Sequence, residues 1–501
     1  MSSGAGEQVV RRPQHPAAKL DPWSRARSWV RSEYGVRVFA WLLIALPMLL
    51  WAAALWPAVM VADSVDTWNQ AAAGPVVDWH SPVYTYLQRA AYLSVGSPAA
   101  VVLLQILGLS YAIRRVLGVV VSIGVRPLLA YGFGAGVAIL PPVGAFPSHL
   151  IKDVPYAIGF LLALAFIADL AAKRCGLIPE GTTRRSALVL FALGLTFLLL
   201  MRVNGPIAAA GFGVAAVLLA RQRLRVVVAC VASLAAYLFV TLFVYPAAGV
   251  VDAPPNVSAG IYVIGLSAAY QQEPELVAES AVDDLELWAT QEEYEEQFNC
   301  HWAGTPFQSR FYTPMPVSPD DLSDAWREVL FADPLLLVGT HLCAASPAWN
   351  PIASPEERIR YQTLWDVVVE NPQGVVSDPF SDRLGAAARN VLAFVGLTNE
   401  ESRAWNPVVS QFLLWRASTW MYVLAGLVTA GVVRFRRWWG LALLVPLAAQ
   451  AVSVIALAGP HYRYTAPVWI GSVLLIPLGW KLAIAGSGVA EPRLAEAGTP
   501  P

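Results

Sequence analysis

The chain has 501 residues, 56% of them hydrophobic and 14% charged, with a mean hydropathy of +0.52 and a formal net charge of −1. That leaves too little polar surface to cover ordinary water-soluble domains, so the composition excludes a purely soluble protein and predicts an all-α polytopic membrane protein. The near-neutral charge hides an asymmetry, because 24 of the 35 acidic residues lie between Asp252 and Glu401.

In chain order, residues 1–37 form a basic tail without a small-residue cleavage pattern, read as cytoplasmic rather than as a secretory signal. A bilayer span needs about 20 apolar residues. Such runs occur near 38–61, 97–114, 127–146, 154–172, 186–201, 206–220, 226–247, 414–433, 440–459 and 465–483, which predicts about ten transmembrane helices. The transmembrane region 38–247 would contain a first external loop at 62–96. Residues 248–412 would form an acidic, mainly helical extracytoplasmic domain between the seventh and eighth spans. Residues 413–483 would return to the membrane and 484–501 form a cytoplasmic tail. No nucleic-acid partner is expected.

Positive loops are retained on the cytoplasmic side. With the N-terminus inside, Arg114/Arg115/Arg126, Lys173/Arg174/Arg184/Arg185, Arg221/Arg223/Arg225 and Arg434/Arg436/Arg437 all fall inside, in the plasma (inner) membrane of a multi-pass protein. The acidic segment contains no lysine and holds Cys300 and Cys343, which in an oxidising compartment can form a bridge or stay as separate thiols. The sequence leaves both readings open.

Against this pattern, Lys152, Arg202 and Arg463 fall at the outer ends of spans, with Arg89 in the first loop. Cations at that depth are costly unless they pair or bind an anion. Internal pairing or snorkelling to headgroups is one reading, and a phosphate held at the membrane surface is the other. The acids of VADSVDTWNQ (61–70) stand beside them, where a carboxylate suits general-base work. The local alternative for Asp63 is a helix N-cap. Trp68 and Trp79 also suit interfacial anchors, and His80, His149 and His461 also suit satisfied polar positions. No HExxH or CxxC spacing indicates a metal, and no phosphate loop or dinucleotide fingerprint appears.

Asp63-Ser64-Val65-Asp66-Thr67-Trp68, Asp78-Trp79-His80-Ser81-Pro82, Lys152-Asp153-Val154-Pro155, Arg202-Val203-Asn204-Gly205 and Arg463-Tyr464, in this order and on one side, resemble the GT-C superfamily of membrane glycosyltransferases. The resemblance covers roughly the first 210 residues and the end of the chain. It implies a GT-C-like fold and inverting transfer of a sugar from a polyprenyl-phosphate carrier to an extracytoplasmic acceptor, whether glycan, lipid or protein. Asp63 would be the general base and Asp66 its catalytic support. Lys152, Arg202 and Arg463 would bind the donor phosphate, with Trp68, Asp78, His80, Asp153, Asn204, His461 and Tyr464 around the substrate. No cofactor is assigned, and a divalent cation near the acids is left open. The competing readings are a transporter or flippase of lipid-linked sugars and an envelope glycan polymerase or ligase. Transporters commonly carry internal repeats and place charges near the bilayer midplane, whereas these charges gather at one face.

Overall fold

A computed structural model describes residues 33–181, 184–302, 315–352, 379–394, 411–457 and 462–484. It is mostly helical, and two isolated parallel bridges, Val59 with His149 and Val77 with Val251, take the place of strands among the described residues. The longer helices are α1 (Glu33–Ala54), α2 (Ala62–Ala72), α3 (Pro82–Val95), α4 (Ala99–Ser122), α5 (Pro127–Ile139), α6 (Asp153–Arg174), α7 (Arg185–Met201), α8 (Gly205–Leu219) and α9 (Arg223–Phe239). They continue with α10 (Pro255–Gln272), α11 (Glu279–Glu286), α12 (Gln291–Gln297), α13 (Pro319–Ala332), α14 (Pro334–Ala344), α15 (Pro379–Phe394), α16 (Ala417–Phe435), α17 (Leu444–Ala456) and α18 (Tyr462–Ile484). Of the expected tails, residues 1–32 and 485–501 lie outside the described residues, while residues 33–37 already belong to α1 and residue 484 ends α18.

Among the described residues, seven helices are long and apolar enough to cross a bilayer, against about ten expected. They are α1, α4, α6, α9 with its continuation to Ala247, α16, the run Trp438–Ala456 that contains α17, and α18. The expected third span, 127–146, breaks after Ile139. Pro141 and Pro142 supply no N–H to continue the helical ladder, and the chain turns by 86° into a buried stretch ending at Ser148. Counted as one span, this bent pair raises the total to eight. The expected fifth and sixth spans are apolar helices of 17 and 15 residues, α7 and α8, short of the usual length. The first run also stops early, because Pro57 ends α1 before residue 61.

Helix α6 is the centre of the bundle and is buried along nearly all of its length against α4, α7, α8 and α18. It meets α7 at Gly159 and Gly194. A Cβ at Gly159 would come within 2.7 Å of the Gly194 carbonyl, so backbone contact at this crossing requires the missing side chains. By contrast, α9 exposes Val227, Val228, Val231, Leu234 and Leu238 on the outside of the bundle, an apolar surface suited to lipid.

Antiparallel packing gives the bundle two chemically different ends. At one, Arg174 Nε donates to the Leu219 carbonyl at 2.7 Å, Arg437 Nη1 to the Leu482 carbonyl at 2.9 Å, and Arg221 pairs with Glu180. At the other, roughly 33 Å away along α6, lie the C-terminal ends of α1 and α7 and the N-terminal ends of α6 and α18. The segment from α10 to α14 builds a core of its own around Leu266, Trp288, Tyr294, Leu322 and Val329. Thr290 and Glu293 form a reciprocal capping box on α12, and a Cys300–Cys343 disulfide with Cα atoms 5.7 Å apart ties α14 to the turn after α12. Of the two readings the sequence allowed for these cysteines, the structure has the bridge.

Candidate functional site

The bundle end opposite Arg174 and Arg437 is assembled around the short bridge between residues 59 and 149. Val59 N–H donates to the Ser148 carbonyl at 2.9 Å and Leu150 N–H returns to the Val59 carbonyl at 3.0 Å. This pairing sets the approach to α2 beside the approach to α6, and so Asp63 beside Lys152. Gln105, in the second turn of α4, fixes the same segment. Its amide donates to the Pro147 and His149 carbonyls, both at 2.9 Å, while its carbonyl accepts from Tyr84 of α3 at 2.8 Å.

Asp63 stands in the first turn of α2. The N-cap position belongs to Val61, which makes no side-chain cap, so the capping alternative for Asp63 is not what the helix uses. Its Oδ2 lies 2.7 Å from Nη1 of Arg463, at the start of α18. Arg463 Nη2 also donates to the Tyr464 hydroxyl at 3.1 Å. One helical turn beyond Asp63, Asp66 accepts from the Gln70 amide at 2.8 Å and faces His80 Nε2 at 3.7 Å. Burial, reinforced by the neighbouring Asp63 charge and opposed by the Gln70 bond, holds the Asp66 carboxyl above the ordinary aspartate range.

Lys152 sits at the N-cap of α6 with its Nζ 3.1 Å from His80 Nδ1. An ammonium only donates, so Nδ1 accepts and Nε2 carries the imidazole proton toward Asp66. His80 is buried and stacked on Trp79 at 4.5 Å. Its burial, with the positive charge of Lys152, pushes it down to about 3, so it is neutral at working pH. Desolvation likewise brings Lys152 down to about 8, although the charges of Asp63 and Asp153 oppose it. Asp63, Thr67, His80, Tyr84, Leu150, Ile151, Lys152 and Asp153 line one narrow cleft.

Arg202 has a different environment from the other two cations. It is buried, forms an ion pair with Asp153, donates to Asn204 Oδ1 at 3.1 Å and lies over the Tyr464 ring at 4.0 Å. Asn204 in turn donates to Ser453 Oγ at 3.0 Å. The residue after it must be small, since a Cβ on Gly205 would stand 1.8 Å from the Leu198 carbonyl. Where the resemblance implies a donor phosphate, the Arg202 guanidinium is paired with the Asp153 carboxylate, away from solvent.

Three further expectations fare differently. Trp68 is buried against Tyr92 in the bundle core, edge to face at 5.7 Å, and does not reach the cleft. Asp78 is exposed, with its N–H donating to the Val251 carbonyl, and stands outside the lining of the cleft. His461 lies outside the described residues. Arg89, which broke the charge pattern of the loops, closes the C-terminal end of α2 by donating to the carbonyls of Gln70, Ala71 and Gly74.

Polar residues inside the apolar runs complete the site and were missed by reasoning from charge alone. Gln105 in AAVVLLQILGLS and Gln450 in LVPLAAQAVSVIA are both buried, and Gln450 accepts from Tyr156 and donates to the Tyr464 carbonyl. An amide inside a span is itself a signal that could have found them. No protein-family model, curated protein or solved structure matches the chain.

Proposed function

We propose that the chain is an integral membrane glycosyltransferase of the GT-C type, which moves a sugar from a polyprenyl-phosphate carrier to an acceptor hydroxyl with inversion at the anomeric carbon. The observation that carries this reading is one cleft lined by both Asp63 and Lys152, residues 89 positions apart (152 − 63). Among the described residues, Lys152 has no carboxylate within ion-pair distance, and the imidazole bonded to it is neutral, so its charge remains available to an anionic ligand. Arg463 is shared between Asp63 and Tyr464 at the same end of the bundle.

In this reading the donor's phosphate enters beside Lys152 and draws on Arg463. The acceptor hydroxyl attacks the anomeric carbon from the face opposite the phosphate, and its proton passes to Asp63. The bond from the anomeric carbon to the phosphate oxygen breaks, and its electron pair leaves with the polyprenyl phosphate, which Lys152 and Arg463 stabilise. A fixed cation in a water-poor site lowers the cost of that charge by several kcal/mol. Arg202, Asp153, Asn204 and Ser453 hold the start of α6 and the end of α7 in register beneath the cleft. The basic bundle end faces the cytoplasm and the cleft faces outward, as the retention of positive loops requires.

The test is transfer by the purified protein from a panel of polyprenyl-phosphate sugars, with Asp63→Asn as the decisive variant. Asn keeps the size of the side chain and removes the proton acceptor. The variant is expected to insert and bind donor while transfer falls about 100-fold or more, the usual share of general-base catalysis. Near-normal turnover by Asp63→Asn would remove Asp63 from the reaction, and absence of transfer or donor hydrolysis across the panel would remove the enzyme reading.

A further inference from the structure

Helix α14 carries an apolar stripe that, among the described residues, its own domain leaves uncovered. Leu335, Val338 and Gly339 are exposed and Leu342 is half-buried, a spacing that places all four on one face. Phe331, in the last turn of α13 just before it, is 85% exposed, with Leu335 at 80%. The opposite face, Leu337, Thr340, His341 and Ala344, is buried. Helix α14 contains no aspartate, glutamate, lysine or arginine, whereas the adjoining α13 presents Asp320, Asp321, Asp324, Arg327 and Glu328 to solvent. An acidic domain wholly in water has no use for such a face.

The surroundings of α14 indicate what covers it. His341 Nδ1 bonds the Ile455 carbonyl at 3.1 Å, in the last turn of α17. Trp349 Nε1 donates to the Leu342 carbonyl at 2.7 Å, and the Trp349 carbonyl accepts from the Tyr422 hydroxyl of α16. On these two helices Tyr422, Val423 and Val452 are exposed, and both belong to membrane-spanning segments. The stripe is thus continuous with a lipid-facing surface, with Trp349 at the junction, where tryptophan favours the headgroup level. The Cys300–Cys343 disulfide fixes α14 to its own domain.

We propose that α14 is an interfacial helix that beds its domain in the bilayer, with Phe331, Leu335 and Val338 at the boundary between phospholipid headgroups and acyl chains. The domain then lies on the membrane rather than standing clear of it.

The test uses the full chain in phosphatidylcholine–phosphatidylglycerol nanodiscs, with Cys175 and Cys230 replaced by serine and the disulfide kept. A fluorophore is attached at Leu335→Cys or, as the control, at Glu328→Cys. Both positions are exposed, so neither label disturbs the core. A lipid carrying a doxyl group near its headgroup is expected to quench the Leu335 label several-fold more than the Glu328 label, and aqueous iodide to do the reverse. Iodide access at Leu335 equal to that at Glu328 overturns the proposal by placing the stripe in water. Protection of Leu335 from both quenchers also overturns it, by assigning the stripe to a second copy of the chain.

Discussion

Lys152 couples the cleft to pH in a direction fixed by its environment. Desolvation lowers it to about 8, so it is cationic below that value and neutral above it. Donor binding is therefore expected to weaken on the alkaline side, with a midpoint near pH 8, measured as the KM for a polyprenyl-phosphate sugar. Lys152→Arg, charged at every accessible pH, should flatten that limb while leaving the acid side unchanged. His80 contributes no limb near neutrality, because it stays uncharged down to about pH 3. Arg202 belongs to a different kind of test. Removing one partner of its buried pair with Asp153 leaves an uncompensated charge, a loss of about 3–5 kcal/mol, whereas replacing both removes the charge altogether. Arg202→Met is expected to lower thermal stability sharply, and the double change with Asp153→Asn to recover much of it. An Arg202→Met protein that melts normally but binds donor poorly would restore Arg202 as a phosphate ligand. The sequence marked both cations by the same anomaly of charge and depth. It could not separate them, because the difference lies in Asp153 and Tyr464 closing over one and a neutral imidazole bonding the other.

The helices show where a hydrophobic pattern informs and where it misleads. Composition and periodicity located α1, α4, α6, α9, α16, α17 and α18, because lipid demands long uninterrupted apolar runs. The same pattern hid the break at Pro141, since a buried bent stretch is as apolar as a straight span; the paired prolines were the local sign of it. It also overestimated α7 and α8, whose 17 and 15 residues are short for a span. The sequence set Cys300 beside Cys343 in the acidic segment but left open whether they are bridged, because 43 residues of separation carry no geometric information. Closing a loop of that length restricts the unfolded chain enough to stabilise the fold by about 2–4 kcal/mol. The pair Cys300→Ser and Cys343→Ser should therefore lower the melting temperature of the α10–α14 unit with little effect on the bundle, read by hydrogen exchange on the two cores separately. Equal loss of protection in both would show them to unfold as one.

At the scale of the whole molecule, charge divides the bundle into a basic end and an end that gathers the cleft. Probing with a membrane-impermeant thiol reagent from outside is expected to modify a cysteine placed at Gln272 and to spare one at Gln222, and the reverse pattern would invert the proposed orientation. The cleft also has an order of assembly. Asp63 follows the first described helix, whereas Arg463, which neutralises it, belongs to the last, 400 residues later (463 − 63). At roughly 5–20 residues per second, a ribosome takes about 20–80 s to cover that distance. For that interval the nascent chain holds a carboxylate at the membrane edge with no counter-ion from α18. Insertion of α18 then brings Arg463 to Asp63, so the two sides of this ion pair meet only when the bundle is complete.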